Sequence, residues 1–183
     1  MKKIIALVLS LVMLLTCAAA LAETEKESMG TLRVEKAFDI KYGVLPDDYT
    51  MTIVTQNNMT ILANIKSKQD TMPKMGLSIV FNDEWAETER LNDVSEEDMQ
   101  AIKDSFYEEY PELTFETKET NQGTQLLIVT VPGGQEVYVY TIYKGHEIEM
   151  QIVPGTAQEA LTEADIERVV KFLSDLDFVP IEQ

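Results

Sequence analysis

Between residues 113 and 153 four strand-like runs follow one another through connectors so short that consecutive runs must be neighbours in space. They occupy 113–118, 125–131, 136–143 and 147–153, and the connectors are Asn121-Gln122-Gly123, Pro132-Gly133-Gly134 and Lys144-Gly145. Gly, Asn and Pro supply the backbone conformations that reverse a chain tightly. Strands joined by such turns lie side by side, so this stretch is an antiparallel meander. Its strands are apolar on both faces. In 125–131, Leu127, Val129 and Val131 point one way, Leu126 and Ile128 the other. In 136–143, Val137 and Val139 oppose Tyr138, Tyr140 and Ile142. A sheet that is apolar on both faces must be covered on both. A sandwich with helices on each side achieves this, and so does a homodimer packed across one face.

The flanking pattern supplies more strands and two helices. Residues 38–42 alternate, 51–55 and 59–65 are joined by Gln56-Asn57-Asn58, and 77–81 follow Gly76. In Val94-Ser95-Glu96-Glu97-Asp98-Met99, Ser95 can cap a helix, Asp98 answers it at the third helical position, and Val94 and Met99 form the staple. Met99, Ile102, Phe106 and Tyr110 then line one face until Pro111 stops the helix. Thr162 opens a second helix in the same way, with Leu161 and Ile166 as staple and Ile166, Val169, Val170 and Leu173 as the buried stripe. The expected fold class is therefore α+β: an antiparallel sheet covered by helices in an α/β/α sandwich.

The N-terminus reads as an export signal. Lys2 and Lys3 precede an apolar stretch over 4–16, and Ala20-Leu21-Ala22 is an A-x-A cleavage site. The stretch is shorter than the roughly 20 apolar residues a membrane helix needs. Leu14-Leu15-Thr16-Cys17 resembles a lipobox in which Cys17 would be acylated, although Thr before the Cys fits that pocket poorly. The expected organisation is a signal peptide over 1–22, a polar flexible leader over 23–31 and one domain over 32–183. The compartment is then extracellular, cell-surface or periplasmic. Cys17 is the only cysteine, so a chain cleaved after Ala22 has no disulfide, no Cys nucleophile and no Cys-ligated zinc. The formal charge is −17, and losing Lys2 and Lys3 makes it more negative. That disfavours nucleic acid and anionic lipid and favours solubility or a cationic partner.

Phe38-Asp39-Ile40-Lys41-Tyr42 followed by Leu45-Pro46-Asp47-Asp48-Tyr49 resembles the opening of PsbP-like domains, with Tyr49 where a Trp is common. The order of strands, central helix, meander and last helix is similar too. The resemblance implies a PsbP-like sandwich and, since known members mostly bind or assemble, a domain that does not catalyse.

The residues themselves offer little chemistry. His146 is the only histidine, which excludes a multi-His metal site. It shares the parity of Ile148, Met150 and Ile152 and reads as a packed strand-end residue. No G-x-S-x-G, S-x-x-K or G-x-x-x-x-G-K motif is present. Glu84, Glu87 and Glu89, and Asp93, Glu96, Glu97 and Asp98, could supply carboxylates to a glycan hydrolase, but they lie in polar runs that read as solvated surface. The second group lacks the Ca²⁺-loop pattern, leaving at most weak surface Ca²⁺ binding. Asn58-Met59-Thr60 is an N-x-T sequon that reads here as a turn entering a strand. A partner surface could use Tyr138, Tyr140 and Tyr143 with Met72 and Met75, though sheet packing explains the first two tyrosines and Met75 equally well. The expectation is an exported binding or assembly domain without cofactor or metal, with a protein partner. Its alternatives are a carrier or sensor for a small apolar ligand and, less favoured, a carboxylate-based glycan hydrolase.

Overall fold

The computed structural model describes residues 30–34, 37–42, 49–57, 59–107, 110, 112–174 and 176–181. The expected signal peptide over 1–22, the leader as far as residue 29, the 45–48 part of the PsbP-like pattern, Asn58 and Pro111 lie outside them.

Strands β1 (Gly30–Val34) and β2 (Phe38–Tyr42) begin the described chain. They are followed by β3 (Tyr49–Gln56), β4 (Thr60–Ser67), β5 (Lys74–Phe81) and helix α1 (Glu96–Tyr107). The meander is β6 (Thr114–Glu119), β7 (Gln125–Thr130), β8 (Val137–Tyr143) and β9 (His146–Val153). Helix α2 (Glu163–Ser174) and β10 (Asp177–Pro180) complete it. The large sheet has seven strands in the order β3-β4-β5-β9-β8-β7-β6, and a small sheet has the order β1-β2-β10. All pairings are antiparallel.

Local sequence explains the joins. The β8–β9 turn places Lys144 at φ 47° and Gly145 at φ 73°, the two positive angles that suit the right-handed twist of a tight hairpin. Two local meanders, β3–β5 and β6–β9, meet where β5 pairs β9 from Lys74↔Val153 to Phe81↔His146. Both helix openings form as the sequence predicts. Asp98 N–H donates to Ser95 Oγ at 3.1 Å, and Thr162 N–H donates to Asp165 Oδ2 at 3.0 Å.

The central strands of the large sheet, β5, β9, β8 and β7, are buried on both sides. One face packs Ile65, Leu77, Ile79, Val139, Ile148 and Ile152 under Val169 and Val170 of α2 and under Leu32, Phe38, Ile40 and Phe178 of the small sheet. Aromatic contacts tie the sheets together: Phe38 meets Tyr143 edge-on at 4.9 Å, and Tyr143 stacks on Phe178 at 4.9 Å. The other face packs Leu127, Val129, Tyr138, Tyr140 and Ile142 against Ile102 and Phe106 of α1 with Trp85 and Leu91.

This architecture overturns the expected helix-covered α/β/α sandwich. Of the described residues 46% are strand and 23% helical, with two α-helices beside a seven-stranded antiparallel sheet. Each helix has 12 residues. That is about 18 Å of helix, against roughly 29 Å across seven strands. A helix pair cannot span that width, so a second sheet covers part of one face. Residues 30–31, which the sequence reading assigns to a leader, belong to β1, and 177–180 form β10. Among the described residues no helix is long and apolar enough to cross a membrane.

Gly155 docks the segment before α2 onto the β4–β5 connection. A Cβ there would sit 2.3 Å from Asp70 O and 2.4 Å from Met72 O. These are backbone atoms and cannot swing aside. Gly155→Ala is expected to lower stability by about 1–3 kcal/mol, the usual range for overpacking, read as a drop in the urea midpoint at unchanged m-value.

Candidate functional site

Strand β9 alternates two kinds of residue. His146, Ile148, Met150 and Ile152 face the core under α2. Glu147, Glu149 and Gln151 face the α1 side, and their exposures are only 4%, 2% and 1%. Register extends this polar row sideways. Ser78 on β5 lies opposite Glu149, and Gly76 lies opposite Gln151. Asn64 on β4 lies opposite Gly76. Ser78 and Asn64 are buried as well. Taking such groups out of water costs several kcal/mol unless they find partners, so their hydrogen bonds define the site.

Two carboxylates organise the ends of the row. At one end Glu147 Oε1 accepts from Trp85 Nε1 at 2.9 Å, Tyr140 OH at 3.1 Å and Asn82 Nδ2 at 3.2 Å. At the other end Glu136 Oε2 accepts from Tyr138 OH at 2.5 Å and from Tyr110 OH. Gln151 Nε2 donates to Glu136 Oε1 at 3.2 Å and to Tyr138 OH at 3.3 Å. Burial, reinforced by the Glu136 carboxylate, pushes the Tyr138 phenol far above its ordinary value. Burial and the neighbouring Glu147 do the same to Tyr140. Both phenols therefore stay protonated and donate.

The middle of the row is different. Glu149 sits between Glu147 and Gln151, opposite Tyr140 on β8 and Ser78 on β5. On either side of it, Ser78 Oγ and Gln151 Oε1 are buried with no hydrogen-bond partner from the protein. The Gln151 amide has its nitrogen engaged and its oxygen unanswered. Well-satisfied networks thus bracket an acceptor-rich centre.

The residues singled out from sequence are distributed otherwise. Tyr138 (1%), Tyr140 (4%), Tyr143 (4%) and Met75 (3%) are buried, and Met72 is half-buried against the α2-side core. Tyr138 and Tyr140 belong to the polar row, whereas Tyr143 packs on the opposite face with Phe38 and Phe178. They do not form one surface. Glu84, Glu87, Glu89, Asp93, Glu96, Glu97 and Asp98 are all exposed. His146 is packed edge-on to Phe38 and Phe81 at 5.2 Å each. Among the described residues no group of three or more His, Cys, Asp or Glu could hold a metal ion. Sequence reasoning missed Glu147, Glu149, Gln151 and Ser78. Polar residues alternating with Ile148 and Met150 are the ordinary signature of a strand with one wet face, and only the sheet order shows that this face is dry.

Two outcomes follow from these contacts. Glu147→Ala strands three donors, each worth about 1–3 kcal/mol when buried unmet, so stability is expected to fall by about 3 kcal/mol or more. The emission of Trp85, the single tryptophan, is expected to shift as its indole N–H loses its acceptor. His146 titrates below its ordinary 6.5 because burial disfavours the imidazolium, against the opposing pull of the Lys144 and Tyr143 carbonyls. The unfolded chain then takes up the proton first as pH falls. Stability is expected to be fully present above pH 6.5, to decline below it and to level off under the folded value. His146→Phe, measured by thermal unfolding from pH 8 to 5, is expected to remove this component.

No family model matches the chain, and no curated protein matches it.

Proposed function

We propose that the chain is an exported, non-enzymatic binding domain whose ligand face is the polar row on the α1 side of the large sheet. The observation that carries this reading is the buried pair Ser78 Oγ and Gln151 Oε1, without a hydrogen-bond partner beside Glu149. Folded proteins leave few such groups unmatched, and each one calls for a cause such as a bound water, an ion or a functional role. The side chains there are Glu, Gln, Ser, Asn and Tyr, suited to holding a polar ligand rather than to nucleophilic attack. The resemblance of residues 38–49 to PsbP-like domains, whose known members mostly bind or assemble, agrees with this reading. So does the charge of −17, which steers cationic partners toward the protein.

A glycan hydrolase has one observation in its favour. Glu147 and Glu149 occupy alternate positions of one strand, about 6.6 Å apart along it, within the range of roughly 5–9.5 Å used by paired catalytic carboxylates. The commitment of Glu147 Oε1 to three protein donors makes this the second choice.

The test is capture on immobilised residues 23–183 from envelope extract and culture supernatant, at low and high salt. The expected result is a ligand retained by the wild-type chain and lost from a folded Ser78→Val/Gln151→Leu variant. Equal retention by both would move the site elsewhere, and turnover of a glycan panel abolished by Glu149→Gln would replace binding with hydrolysis.

A further inference from the structure

We propose that the outer edge of strand β3 is a self-association surface, on which a second copy of this chain pairs antiparallel over Tyr49–Ile53 and joins two large sheets into one. β3 is the first strand of the seven-stranded sheet and, among the described residues, pairs only with β4. In an antiparallel strand the N–H and C=O groups of successive residues turn alternately to one side and the other. β4 takes those on one side, and the rest point outward along the sheet edge.

This edge lacks the usual protection. Folded proteins keep edge strands from pairing by short length, by Pro or by charge, Lys above all. β3 is eight residues long and contains no Pro. Residues 49–65, which span β3, its turn and most of β4, contain no Asp, Glu, Lys or Arg, in a chain of which these make up 26%. Ile53 on β3 and Met59 in the turn are 43% and 54% exposed. The opposite edge is guarded. β6 carries Glu116, Lys118 and Glu119, and α1, whose Tyr107 meets Phe115 of β6, opens with Glu96, Glu97 and Asp98.

Charge and register select a second copy as the occupant. Two chains of formal charge −17 repel each other over most of their surfaces. The uncharged hairpin is where they approach at least cost, and a cationic partner finds no carboxylate on it to hold. A bulge between Ile53 and Thr55 ends the regular run of β3. The pairing length is then Tyr49–Ile53, and a two-fold axis through Met51 matches this run to itself. Met51 meets its copy, Thr50 meets Thr52, and the exposed Ile53 is covered beside Tyr49 of the second copy. Thr–Thr and aromatic–β-branched pairs are among the favourable cross-strand neighbours. Lys66 lies opposite Thr50 on β4, so the β3 strands of both copies separate it from its own copy. Five residues make a short ladder, and the dimer is therefore reversible and depends on concentration.

The test follows association and register in the full chain. Sedimentation velocity over a range of concentration is expected to show a monomer–dimer equilibrium. Thr52→Lys sets two cations on the seam and is expected to weaken dimerisation at least tenfold. In a Cys17→Ser background, Met51→Cys is expected to oxidise to a disulfide-linked dimer, because directly opposite residues of an antiparallel pair lie within disulfide reach. Thr50→Cys or Thr52→Cys alone is expected to cross-link far less, and a mixture of the two to give the mixed dimer. A monomer at every concentration would overturn the proposal. So would association unchanged in Thr52→Lys or cross-linking without this pattern, either of which would move self-association to another segment, such as the apolar stretch over 4–16. A protein captured from extract by the wild-type chain and lost from Thr52→Lys, with no dimer in either, would give the edge to a foreign strand and overturn it as well.

Discussion

Two-sided burial of the central strands is the constraint on which this structure depends. β7 and β8 carry apolar side chains on both faces, so neither face of the large sheet can be left to water. The only cysteine, Cys17, lies outside the described residues, so no disulfide can help among them. The covering elements are placed by that need. α2 and the small sheet close one side; α1 and the loop carrying Trp85 close the other. Full burial of a side chain such as Phe106 or Ile102 contributes about 1.5–3 kcal/mol, and many such contributions take the place of covalent staples.

The two faces are not equivalent. Under α2 and the small sheet the core is almost wholly hydrocarbon, with His146 held among Phe38 and Phe81. On the α1 side the hydrocarbon stops at β8, and the next strand presents Glu147, Glu149 and Gln151. A buried row of acceptors is a poor way to stabilise a sheet, and local choices that work against stability concentrate where a protein has a task. The satisfied ends of the row have a further effect: they fix the side chains around the centre, so a ligand there would meet a preorganised set of groups.

Much of this was legible from residue order. The four-strand meander, the strands of β2 to β5 and both capped helices follow from turn residues, period and capping pairs, because each of these signals is local. Ser95 with Asp98 and Thr162 with Asp165 are the clearest cases. The small sheet was not legible. β1 and β10 are short, and each becomes a strand only because β2 is there to pair with it. The polar row was hidden for a related reason. Polar residues at alternate positions, such as Glu147, Glu149 and Gln151, carry no local sign of burial, and only the β5–β9 pairing puts Ser78 and Gly76 beside them. Tyr138 and Tyr140 were picked out for the wrong setting: they matter as buried donors to Glu136 and Glu147, not as a surface.

The β5–β9 pairing also sets the order of events in folding. Each meander is built from contacts near in sequence, which form quickly. The ladder that joins them matches Lys74 with Val153 and closes a loop containing α1 and the rest of the β6–β9 meander. Closure of that loop is the long-range step, so the halves are expected to mature first and the seam last. Ser78, Glu149 and Gln151 lie on the seam itself. Their dehydration is therefore expected to accompany the final joining, the step that turns two hairpin stacks into one sheet, rather than the formation of either half.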